Sequence, residues 1–142
     1  MPRVSVPSLS TLATDSLRDG MLNEGYAAWL ADRQLQGATE PEVVDTLRTI
    51  ARDEANHAQL SFEIVAWCVS VGGRDVADAL VAAVGELPLM REAASATEPE
   101  LMRHGLASVD PEGIAADDLQ RRIVDRVNAL LADESVAMSL RF

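Results

Sequence analysis

The chain predicts an all-α fold, and three observations carry that reading. Its apolar residues are 48% of the total and mainly Ala, Leu and Val, with aromatics at only 4%. A β-sandwich draws more heavily on Tyr, Phe and Thr. The apolar positions recur at steps of 3 and 4 over long windows, the period of an amphipathic helix. Those windows are bounded by helix punctuation: Thr-Glu-Pro-Glu strings at starts and glycines at ends.

After an irregular lead-in containing Pro2 and Pro7, a first helix spans Leu9 to about Leu35. Ala13, Leu17, Met21, Glu24, Ala28, Ala31 and Leu35 fall on its inward stripe, and Gly37 supplies a stop. A second helix opens at Thr39-Glu-Pro-Glu42, a capping box with Pro in the first turn. It runs to about Val71 and ends at Gly72-Gly73. So short a connection predicts an antiparallel hairpin. A third helix covers about Asp75 to Leu87, with Val76, Leu80, Val84 and Leu87 on one face. Pro88 interrupts it, and a second capping string, Thr97-Glu-Pro-Glu100, begins a short helix ending at Gly105. A turn at Asp110-Pro-Glu-Gly113 leads to a last helix, about Ile114 to Asp133, with Leu119, Ile123, Val127 and Leu130 on one side. The organisation expected is a single domain over 1–142, with a hairpin at 9–71 and accessory helices at 72–142.

Bulk properties narrow the function classes. The net charge of −11, from 23 acidic and 12 basic residues, argues against nonspecific nucleic-acid binding and against anionic membranes. One cysteine excludes an internal disulfide framework and fits a reducing compartment. No apolar run reaches transmembrane length, and the N-terminus lacks a signal-peptide core. A soluble cytoplasmic protein is the expectation.

The chemistry concentrates in the second helix. Glu54 and His57 stand three residues apart there, on an apolar stripe read as Leu47, Ile50, Ser61, Ile64 and Cys68. Residues at i and i+3 lie about 60° apart around a helix and about 4.5 Å apart along it, so both can reach one ion. Buried carboxylate and imidazole groups are costly unless paired or bound to metal. The competing readings are an exposed pair, or a buried Glu–His hydrogen bond without metal. Glu24 joins them because it sits about 13 residues before the inter-helix turn, while Glu54 and His57 follow it by about 17 to 20. The levels match across a hairpin, and small neighbours (Gly20, Gly25, Ala27, Ala28) allow close approach. Otherwise Glu24 points to solvent at the stripe's edge.

Asp53-Glu-Ala-Asn-His-Ala58, flanked by Ile50, Leu60-Ser61 and Ile64-Val-Ala-Trp67, resembles the second helix of ferritin-like domains. Arg18-Asp-Gly-Met-Leu-Asn-Glu24 is similar to the preceding Glu-bearing helix of that superfamily. The resemblance covers about 9–71 and extends more weakly beyond. It implies a four-helix bundle with a carboxylate-bridged di-iron site, manganese being the other candidate metal. By that likeness Glu24 is a terminal or bridging ligand, Glu54 bridges and His57 is terminal. Asp53 would be a supporting acid that orients a histidine, or else a solvated helix charge.

The ligand count departs from the pattern. A complete dimetal bundle of this type uses two Glu-bearing helices and two Glu-x-x-His helices, and this chain has one set. His104, the only other histidine, sits beside Gly105 in no such motif. The chain therefore reads as half a bundle. A C2 homodimer sharing two iron ions would complete it, as would a separate partner chain carrying the other half. Iron oxidation or O2- and peroxide-dependent redox chemistry is the activity implied. The alternative is a non-catalytic helical dimerisation or partner-binding module with a vestigial site.

The remaining residues are expected to be structural. Cys68 continues the stripe as a core residue, and Tyr26 and Trp29 pack off the face of Glu24. Asn56 and Glu63 face outward, and Arg121, Arg122 and Arg126 meet water or acidic neighbours. No Gly-rich phosphate loop, Cys-x-x-Cys pair or Ser–His–Asp set is present.

Overall fold

The computed structural model describes residues 5–87 and 114–139, with side chains in the last helix described over 117–134. Every regular element among them is helical. The second capping string, the short helix at Thr97–Gly105, the 110–113 turn and His104 lie outside the described residues.

Ser8 caps the first helix. Its extended backbone (ψ 159°) lets the side-chain oxygen accept the Thr11 N–H at 3.1 Å. From there α1 (Leu9–Asp15), a π-helical segment (Ser16–Glu24) and α2 (Gly25–Gly37) run on as one rod, since the residues at both junctions keep right-handed helical dihedrals. Its end at Gly37 needs no left-handed residue; Ala38 turns extended instead, with ψ 139°.

The next helix, α3 (Pro41–Gly72), starts one residue later than a Thr39 cap requires. Proline takes the first helical position, where its missing N–H is harmless, and pushes the residue before it to extended backbone. Glu40 is therefore the cap, at ψ 123°, and its side chain makes no capping hydrogen bond. The expected Thr39–Glu42 box does not form. At the far end Gly73 takes φ +63°, a value that side chains with a Cβ avoid, and its N–H reaches Val69 O at 2.9 Å. The chain turns at once into α4 (74–87).

The α1–α2 rod packs along α3 as an antiparallel hairpin. The core lies toward the α1 end. Ala13, Leu17 and Met21 meet Val65, Cys68 and Val69 of α3, together with Val76, Leu80 and Leu87 of α4. Val84 packs against that core from the side. From α5 (Ile114–Ser139) come Ile123 and Val127. Toward the α2 end burial falls away. Among described residues of α2 only Ala31 is buried, and α3 has no buried residue before Val65.

Candidate metal centre

The inward stripe of α3 is Val44, Leu47, Ala51, Glu54, Ala58, Ser61, Val65 and Cys68, each more enclosed than its outward neighbours. The spacing alternates 3 and 4 throughout, as in a helix packed in a bundle. Glu54 lies on this stripe. His57 does not, because the heptad places Ala58 there. Ile50, also expected inside, is 41% exposed for the same reason. The paired inward placement of Glu54 and His57 is thus corrected: the glutamate side chain is 30% exposed and the imidazole 56%. Helix periodicity alone does not separate positions one residue apart when both flank the stripe.

Glu24 is the last residue of the π-helical segment. Such segments need packing to sustain their poorer hydrogen-bond geometry, and they recur at functional sites. The packing here is close. Gly20 lies so near α3 that a Cβ added to it would overlap the Ser61 side chain and stand 3.6 Å from Ser61 Cα. Gly20 precedes Glu24 by about one turn and Ser61 follows His57 by about one turn, so this contact holds the stretches that carry Glu24 and His57 together.

There Glu24, Glu54 and His57 converge. His57 Nδ1 is 3.8 Å from Glu24 Oε1 and 3.8 Å from Glu54 Oε2. One donor atom from each residue lies within 4.8 Å of the others. At 3.8 Å neither contact is a hydrogen bond. Metal–ligand bonds of about 2.0–2.2 Å place donors on one ion roughly 3–4 Å apart, so small side-chain rotations would bring these three onto a common centre. Among the described residues no buried side-chain nitrogen or oxygen lacks a hydrogen-bond partner.

Asp53 is turned from the cluster toward its neighbour, accepting from Arg52 Nε and Nη2 at 3.2 Å each. Asn56 is exposed, and so is Glu63, which accepts from Gln59 Nε2 at 3.3 Å. Tyr26 and Trp29 stack on one another with ring centroids 5.7 Å apart. Cys68 is fully buried, and that burial pushes its thiol pKa up.

Two features escaped the sequence reading. The π-helical segment has no local signature. Arg126 of α5 is exposed, as expected, but its guanidinium also lies 3.8 Å from the Phe62 ring centroid and donates to Gln59 Oε1 at 3.2 Å, contacts with α3 that the sequence did not suggest. Leu119 lies over Gly25, 3.4 Å from where a Cβ would stand. These contacts dock α5 beside the Glu24 level. Arg122 instead pairs with Asp118 at 2.7 Å.

Comparison with protein-family models, curated proteins and solved structures finds no match. No described helix is long and apolar enough to cross a membrane.

Proposed function

We propose that this chain is a metal-binding protein in which Glu24, Glu54 and His57 hold a transition-metal ion, and that two copies complete a ferritin-like dimetal centre. The supporting observation is the convergence of three donors from two helices within 4.8 Å. Two carboxylates with one imidazole suit iron or manganese better than a thiolate-seeking metal. Glu24 and Glu54 contribute the two negative charges that balance each divalent ion. His57 offers Nδ1, the nitrogen nearest both carboxylates. Asp53, next to Glu54 in the chain, has its carboxylate on Arg52 rather than on His57, so it is left out of the proposed centre. When bound, iron would supply one-electron chemistry toward O2 or peroxide.

The test is anaerobic loading of metal-free protein with ferrous iron, followed by metal analysis. The expectation is about one ion per chain, lost in Glu54→Ala and His57→Ala. Fewer than one equivalent per two chains, unchanged by either substitution, overturns the reading.

One observation favours a second reading. The imidazole is 56% exposed beside exposed apolar residues of α3. That suits a partner-binding helical module with a vestigial site. It predicts that chelators leave the melting temperature unchanged, whereas a ligand bound only by the folded state raises it by mass action.

A further inference from the structure

One residue ahead of the inward stripe, α3 carries a second stripe on the same 3–4 spacing. Val43, Ile50, Leu60, Trp67 and Val71 lie on it, between 41% and 59% exposed; His57, Thr46 and Asp53 fall among them, and so does Ile64, which packs against the core. A shift of one residue is about 100° around the helix. Two apolar stripes at that angle are what a helix needs to pack against two neighbours. The α1–α2 rod takes the first. Among the described residues α5 sits on the other flank, at Phe62 and Gln59. No described element buries these five apolar residues.

We infer that a second copy of this chain docks on this stripe, and that metal at the Glu24–Glu54–His57 cluster drives the docking. The inference rests on the metal reading above for its trigger. Three features select a second copy. His57 lies fourteen residues from Val43 and fourteen from Val71, at the middle of the stripe. An antiparallel pairing centred there is self-complementary, as a two-fold interface must be. It carries the Val43–Ile50 end of each α3 onto the Trp67–Val71 end of the other along about 42 Å of helix. It also brings the two ligand clusters to the axis, supplying the donors that one chain lacks. No Lys or Arg stands on the stripe to recruit an anionic partner.

The same geometry makes closure conditional. Two clusters at one axis bring four glutamates together, and like charges at close range oppose association. Two divalent ions cancel those four charges. Apolar burial then favours the dimer.

The test is sedimentation velocity on the full chain at micromolar concentration, in chelator and with ferrous iron under nitrogen. Metal content is measured on the same samples. Trp67→Glu, Leu60→Glu and, at the far end of the stripe, Val43→Glu are compared, with helix content checked by circular dichroism. The expected result is a metal-loaded dimer that becomes monomeric in chelator and in the folded variants. A metal-loaded wild-type monomer overturns the docking while leaving metal binding standing. A dimer that persists in chelator overturns the metal control while leaving metal binding to be read from the ferrous-iron samples, where less than one equivalent per two chains overturns the functional reading. A metal-loaded dimer unaffected by all three substitutions overturns the assignment of the face.

Discussion

Gly20 and Ser61 touch backbone to side chain at the point where the π-helical segment crosses α3. A methyl group on residue 20 has no space unless the helices part. Gly20→Ala should therefore cost about 1–3 kcal/mol, the usual range for overpacking a tight contact. It should also weaken metal binding, because Glu24 and His57 flank the contact. Removing the opposing side chain in Gly20→Ala/Ser61→Gly should recover part of both losses. Urea denaturation and metal titration of the four proteins in a double-mutant cycle check this.

The core and the open side of α3 should respond differently to truncation. Leu17 and Leu80 are fully buried, so Leu17→Ala or Leu80→Ala should cost about 2–5 kcal/mol. Leu60 is 55% exposed, and Leu60→Ala should stay within about 0.5 kcal/mol when measured in chelator. Chemical denaturation at matched protein concentration separates the two classes.

Burial holds the Cys68 thiol protonated to higher pH than in the unfolded chain. Above the ordinary thiol pKa of about 8.5, the unfolded state sheds a proton that the folded state keeps. Stability should therefore fall as pH rises from the unfolded to the folded thiol pKa, and be unaffected by this group below that window. Cys68→Ala should lose this part of the alkaline slope. In the native protein, labelling by a thiol reagent should be slow and should accelerate only with unfolding.

Arg126→Ala should loosen α5. The guanidinium contributes a cation–π contact with Phe62 and a hydrogen bond to Gln59. Both are at the surface, so the combined loss should be about 1 kcal/mol. Lysine keeps the charge without the planar stack, and Arg126→Lys should restore only part of it. Hydrogen exchange along α5 reads the effect locally.

Much of the fold was legible because its boundaries depend on backbone chemistry. Pro41 starts α3 and Gly72-Gly73 ends it; both act through dihedral limits that hold whatever packs nearby. The matched levels of Glu24, Glu54 and His57 followed from a short turn between two long helices. Three things were not legible. The phase of α3 was read one residue off at Ile50 and His57, because residues on both stripes are apolar. The Thr39 box lost to the stronger constraint of proline on Glu40. The π-helical segment has no local signature, and the Gly20–Ser61 contact inside it joins residues distant in sequence, so no local window contains it.

That segment has a consequence for what Glu24 is. Each π-type turn takes up more residues than an α-turn, so residues after it face a different way than simple helical counting predicts. If Ser16–Glu24 relaxed to an ordinary α-helix with its length unchanged, every later side chain would turn by roughly one residue's step, about 100°. A glutamate would still stand in the chain, and the helix would still form, but its carboxylate would aim away from Glu54 and His57. Deleting one residue between Ser16 and Asn23 would instead remove the extra residue that the π-turns absorb and leave the later side chains facing much as they do now. Whether residue 24 faces Glu54 and His57 is set by the turns before it as much as by the residue itself.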